Sequence, residues 1–417
     1  MDEAVPTTSQ DVASAAPKRR GRKKRPAVVK ENLVGPANIE MLGRHLERLR
    51  AAHAHPNRLL HMDNLVVALL YAFYNPTCRS LRTLEGLGKV CSQEIGVEQL
   101  CRSTTSDAMA LFDPKLLLPI LEDLRGRLPA LGRADVDLER ITRQVIAADG
   151  SYFNIYADVA WAIHLTRANG KDAAHIRLNF QLDVRNWAPM AASVSGKAQG
   201  SETAAVAADL LPGVIYLVDR NFIDFEFFHA ALDKGSDFVV RCKENMPNFQ
   251  AARELPLSDR DRADGVVSDS VGILPGRGAP DRTMRELILR DPQTGKSIRV
   301  LTSLLEVPAY VIGVLYRHRW QVELFFRWLK VWGNFEHLVS HSRNGLTLQF
   351  YVAVIGVLLT YVSTGHRVSK YAVSLLTFVA AGQATLEDIL PVLEKREREK
   401  QLERERLARK HAQKTIQ

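Results

Sequence analysis

What this chain lacks narrows it first. Its four cysteines, Cys78, Cys91, Cys101 and Cys242, form no CxxC pair and follow no zinc-ligand spacing. That excludes a disulfide scaffold and a structural zinc site, and leaves reduced thiols in a cytoplasmic protein as the expectation. The one long apolar run, FYVAVIGVLLTYV from Phe350 to Val362, has 13 residues. It is shorter than a membrane span and reads as a buried helix, so no membrane partner is expected. The opening MDEAVPTTSQ is acidic and polar, unlike a signal peptide. A phosphate loop is excluded as well. The tempting GKS at Gly295–Ser297 has Arg290 where the required glycine should stand, and no helical pattern follows.

What is present is ordinary in bulk and unusual in charge. At 417 residues, two or three domains are expected. Hydrophobic content of 46% and charged content of 25% suit a globular protein. A net charge of +9 points to a polyanionic partner, which charge alone leaves as nucleic acid or membrane surface.

The pattern divides the chain. Residues 1–34 read as a disordered basic tail, with seven Lys or Arg within 18–25. PKRRGRKKRP, with Arg20, Arg22 and Lys23, resembles a minor-groove arm of the AT-hook type; a solubilising tail is the plainer reading. Residues 35–140 carry helical spacing and read as a helical DNA-binding domain, a structural bundle being the alternative. Asp113 and Pro114 are placed to start one of its helices.

From 141 to 235 the period shortens. RQVIAADG, IRLNFQLDV, MAASVSG and VIYLVDR are strand-like, SETAAVAADLL between the last two is helical, and a helix ends at Gly235. Three strands, a helix, a strand and a helix imply an α/β domain with a mixed sheet. Residues 236–310 are β-rich, 311–390 helical again, and 391–417 a charged helical tail.

Two carboxylates share a setting. Asp149 closes VIAAD before Gly150, and Asp219 closes VIYLVD before Arg220. Carboxylates at the carboxyl ends of buried strands lie where α/β folds keep their sites, although a turn or a helix cap is the plainer use of either. A third comes from YRHRWQVELFFRWLK, Tyr316 to Lys330. Read as one continuous helix, it sets Tyr316, Arg319, Glu323 and Lys330 within about 60° of each other, with Arg327 on the same stripe. Leu315, Val322, Phe325, Phe326 and Leu329 then face a sheet. A solvated row of ion pairs is the plainer reading. The functional one is a hard-oxygen site for Mg²⁺ or Mn²⁺ beside phosphate-binding cations.

Tyr316, Arg319, Glu323 and Lys330 have the spacing Tyr-x2-Arg-x3-Glu-x6-Lys. With AADGSYF and IYLVDRNF ahead of them, the chain resembles the DDE transposases of bacterial insertion sequences, in the group with the Tyr-Arg-Glu-Lys signature. The similarity covers about residues 80–365, and Asn221-Phe222 stand where that group more often has Gly-Tyr. The resemblance implies an RNase H-like mixed sheet with flanking helices, interrupted by a β-rich insertion at 236–310 and preceded by the helical domain. It implies a metal triad of Asp149, Asp219 and Glu323, two Mg²⁺ ions (Mn²⁺ in substitution), and DNA contacts from Tyr316, Arg319 and Lys330, to which the helical stripe adds Arg327. The expected partner is double-stranded DNA, both the element's terminal inverted repeats and the target, bound by a dimer in the bacterial cytoplasm at the nucleoid. A same-fold nuclease that does not join strands, and a domesticated DNA-binding protein, are the rivals.

Overall fold

A change of hydrophobic period near residue 141 separates two kinds of structure in the computed structural model. It describes residues 36–415 with interruptions, the longest at 89–99 and 129–137. The basic residues Arg20, Arg22 and Lys23 lie outside the described residues.

Helices α1 (Pro36–Ala52), α2 (Met62–Tyr74), α3 (Arg102–Leu111) and α4 (Leu118–Gly126) come first. Asp113 accepts a hydrogen bond from the Lys115 amide at 2.9 Å and starts a short 3-10 turn, Pro114–Leu117, that leads into α4. Eight of the thirteen residues of α2 are buried. They pack on α10 (Arg343–Thr364), which contains the long apolar run. That helix is long and apolar enough to cross a membrane, and most of it is buried inside the protein, as in the core of a globular chain. The amino-terminal helices and the sheet therefore share one continuous core.

Among the described residues the sheet has ten strands. β1 (Val145–Asn154), β2 (Ile163–Thr166), β3 (Asp172–Asp183), β4 (Ala188–Ser195), β5 (Ile215–Val218) and β6 (Asp237–Arg241) form one half. β3 is antiparallel to β1 on one side and to β2 and β4 on the other, while β1, β5 and β6 run parallel. β2 adds a strand to the three expected ahead of α5 (Glu202–Ala207). Ser201 caps α5 through the Ala204 amide at 3.1 Å. The next helix, α6 (Phe225–Asp233), begins four residues later than its apolar sequence suggests. A 3-10 turn over Arg220–Phe222 intervenes, and Asp224 makes the cap. Gly235 follows with φ of 65°, the left-handed conformation that stops a helix.

The β-rich segment does not stand apart. β7 (Gln250–Glu254), β8 (Val266–Ile273), β9 (Met284–Arg290) and β10 (Ser297–Thr302) extend the same sheet, because β10 pairs antiparallel to β6. β9 and β10 form the expected hairpin, and a strand rather than a helix follows Gly295. A five-residue helix, α7 (Asp259–Ala263), lies between β7 and β8.

Two layers cover the sheet. Val145 and Ala147 of β1 with Ile215 and Leu217 of β5 join the large core under α8 (Ala309–His318), α9 (Trp320–Val331) and α10. Ile146, Ala148, Tyr216 and Val218 face the other way, with Val206 of α5 and Phe227 and Phe228 of α6. This period-2 alternation assigns a face to every residue that follows on these strands. The charged end forms α11, Leu386–Thr415, starting five residues before the compositional change.

Candidate active site

The register of the parallel strands brings the two aspartates together. Val145, Ile146 and Ala147 pair with Ile215, Tyr216 and Leu217. Two residues further along each strand come Asp149 and Asp219, on neighbouring strands about 4.8 Å apart. The alternation aims both toward the face that carries α8 and α9. Asp219 sits immediately past β5 and accepts from the Asn221 amide at 2.7 Å. Asp149 is different from expectation. It lies in the middle of a ten-residue strand, because β1 continues through Gly150 to Asn154 on its pairing with β3 alone. It accepts from the Gly150 amide at 2.8 Å.

Helix α9 is fixed over this point by an aromatic stack. Phe180 of β3 pairs directly with Asp149 across the ladder, and its ring stacks on Phe325 at 4.4 Å. Phe325 is two residues from Glu323. The apolar residues expected to face the sheet, Leu315, Val322, Phe325, Phe326 and Leu329, are all buried.

The cationic helix is not continuous. It breaks at Arg319 between α8 and α9, where Arg319 and Val322 donate to carbonyls three residues back. The row survives the break locally. Arg319 donates to Glu323 Oε1 at 2.6 Å, and its guanidinium lies 5.9 Å from the Tyr316 ring centre. Burial would lower the Arg319 pKa, but Tyr316, Glu323 and Asp149 outweigh it and hold the group more firmly charged. Arg319 thus stands electrostatically between Glu323 and Asp149. Lys330 sits further away, its ammonium 4.7 Å from the ring centre of Phe153. Phe153 is four residues past Asp149, about 13 Å along the strand. Arg327 is exposed on the same helix.

Burial, then Glu202 and Asp219, push Asp149 up to about 8. Glu202 is a residue the sequence pattern did not single out. It opens α5 beside the capping Ser201, and burial followed by Asp219 raises its pKa, with Arg177 opposing. Arg177 is buried, held by Asn179 Oδ1 and the Gly200 carbonyl, both at 3.0 Å. Arg241, at the carboxyl end of β6, is a second overlooked group, near enough to lower the Tyr316 pKa against the larger effect of burial. Its position after a parallel strand was the available signal.

The site therefore gathers carboxylates from β1, the end of β5 and α5, with Glu323 of α9 joined to it through Arg319. All are hard oxygen donors, suited to Mg²⁺ or Mn²⁺ rather than zinc. Among the described residues, no three His, Cys, Asp or Glu side chains are close enough to hold an ion in this arrangement. Glu323 is turned to Arg319, not to the aspartates.

A mixed sheet with acidic groups where its parallel pairing ends, beside a cationic helix, is consistent with an RNase H-like α/β fold. Residues 140–359 match the family described as Transposase DDE domain, and the chain belongs to that family. Among curated proteins it is 27% identical over 170 residues to "Putative transposase y4zB" of Sinorhizobium fredii, covering 40% of this chain and 46% of that protein. It is also 27% identical over 145 residues to "Probable transposase for insertion sequence element IS5377" of Geobacillus stearothermophilus, covering 35% and 38%. The chain spans less than half the length of these relatives.

Proposed function

We propose that this protein is a DNA transposase of the Tyr-Arg-Glu-Lys group. In this reading it binds the terminal inverted repeats of an insertion sequence, cuts there, and joins the freed 3′-hydroxyl ends to target DNA. The observation that carries the reading is the matched register of Asp149 and Asp219 on the face that bears the Glu323 helix. Membership of the family gives that geometry its chemistry.

Asp149, Asp219 and Glu323 would hold two divalent ions, Mg²⁺ with Mn²⁺ as a substitute. The donor set fits, since every group is a carboxylate and one buried carboxylate oxygen, Glu202 Oε1, meets no donor in hydrogen-bond geometry. Bound ions of this kind activate an attacking oxygen and stabilise the leaving one. Arg319 orients the Glu323 carboxylate and, beside Tyr316, carries the charge that would meet a phosphate oxygen. Tyr316 and Arg241 flank the same point, while Lys330 and Arg327 grip backbone away from the cut. Two ends must be held together, so the DNA-bound form is a dimer, at the bacterial nucleoid in the cytoplasm. The basic arm with Arg20, Arg22 and Lys23 adds sequence-tolerant attachment.

Glu323→Gln tests this. The variant should lose DNA cleavage in Mg²⁺ while keeping its affinity for end-containing DNA within about twofold. Cleavage at the parent rate removes Glu323 from the triad.

A further inference from the structure

We infer that Glu202 is a fourth metal-binding carboxylate of this site, sharing a divalent cation with Asp149. This rests on the metal-dependent reading above and adds to it a ligand from a different face of the sheet.

Gly150 follows Asp149 directly on β1. By the alternation of β1, its side-chain position points away from α9, into the layer that holds α5. A Cβ placed there would meet Glu202 Oε1 at 2.5 Å, Cδ at 2.8 Å and Cγ at 3.1 Å. A Cβ there would push the Glu202 side chain aside, so the glycine is what lets its carboxylate lie this close to the strand beside Asp149. The backbone at Gly150 is ordinary extended strand, so glycine is not needed there for conformation. It is needed for space.

Glu202 is also held in place rather than swept there by chance. It is the first residue of α5, next to the Ser201 cap, and α5 contacts both β1 and β3. Thr203 anchors the same turn by donating to Asp224 Oδ2 at 2.8 Å. The carboxylate arrives next to Asp149 and Asp219, two groups of its own sign. Its Oε1 is shut off from solvent and accepts no hydrogen bond. The opposing charge beside it, Arg177, already donates to Asn179 and to the Gly200 carbonyl. Two buried carboxylates this close are costly unless a shared proton or a cation joins them, and a divalent ion takes the proton's place when it binds. An all-oxygen divalent ion is the cation that fits.

The test is Mn²⁺ binding to the full-length protein without DNA, read by electron paramagnetic resonance of free Mn²⁺. Parent, Glu202→Gln, Glu202→Asp, Gly150→Ala, Asp149→Asn and Glu323→Gln are compared, each checked by circular dichroism. Glu202→Gln should weaken the tighter Mn²⁺ site at least tenfold, and Glu202→Asp should recover part of that loss. Gly150→Ala, which keeps the carboxylate but displaces it, should weaken the site as well and covers the case in which Glu202→Gln does not fold. Parent-like Mn²⁺ binding in folded Glu202→Gln, alongside loss in Asp149→Asn, overturns the role of Glu202 alone. Parent-like binding in Asp149→Asn and Glu323→Gln overturns the metal triad itself, and the role of Glu202 with it.

Discussion

Asp149→Asn should make the metal-free protein more stable, and by an amount that depends on pH. In the folded chain, burial and the neighbouring Glu202 and Asp219 push Asp149 from 3.8 to about 8. Its folded pKa is above its unfolded one, so the folded state keeps a proton that the unfolded chain has already lost. Stability therefore falls as pH rises through that window and levels above it. One proton corresponds to a slope of at most about 1.4 kcal/mol per pH unit. Across the whole window the ceiling is about 6 kcal/mol, and sharing of the proton with Glu202 reduces it to a few kcal/mol. Asparagine is nearly isosteric, can still accept from the Gly150 amide, and never ionises. Urea unfolding in EDTA at pH 5, 6, 7, 8 and 9 should show the variant pulling ahead of the parent with rising pH. Mn²⁺ should then narrow the gap at pH 8: at about 100 times its dissociation constant it adds about 2.7 kcal/mol to the parent only. A gap that stays constant across pH would refute the claim that Asp149 is a buried, mutually repelled acid.

Lys330→Ala should weaken DNA binding evenly across sequences and reduce the salt slope of the logarithm of affinity by about one, measured by fluorescence anisotropy. An unchanged slope removes Lys330 from the phosphate contacts. Phe180→Ala should cost about 3–5 kcal/mol in urea unfolding, since Phe180 is fully buried and stacks on Phe325. Any folded fraction should also cleave DNA more slowly, because that stack sets the Glu323 helix over Asp149. Loss of stability with no loss of cleavage per folded molecule would show that α9 is positioned by other contacts.

How much of this could be read in advance depends on whether the signal is local. Asp149 and Asp219 stood out because each closes a run of buried strand residues, and their register then follows from parallel pairing. Glu323 stood out because its helix carries cations on one side and sheet-packing residues on the other. The break at Arg319 was invisible, since HRWQ contains neither proline nor glycine and its propensities permit a continuous helix. β1 was read too short because SYFN after Gly150 carries too few buried apolar residues to look like strand, and its pairing with β3 alone prolongs it. The β-rich segment looked like an insertion in sequence, yet β10 joins it to the main sheet, a pairing between residues about sixty apart. Glu202 could not be found locally at all. Its role depends on α5 crossing a glycine in a strand fifty residues earlier, and SETAAV alone reads as a capped helix start.

The most direct measurement is a strand-transfer assay in Mg²⁺. It combines the purified protein, a labelled DNA end taken from the inverted repeats that flank its gene, and a supercoiled plasmid target. Labelled end should become covalently joined to plasmid with the parent chain, and none should with Asp149→Asn, Asp219→Asn or Glu323→Gln. Labelled DNA that is cut but never joined would make the protein a nuclease of the same fold. DNA that is bound and left intact would make it a binding protein and contradict the catalytic account outright.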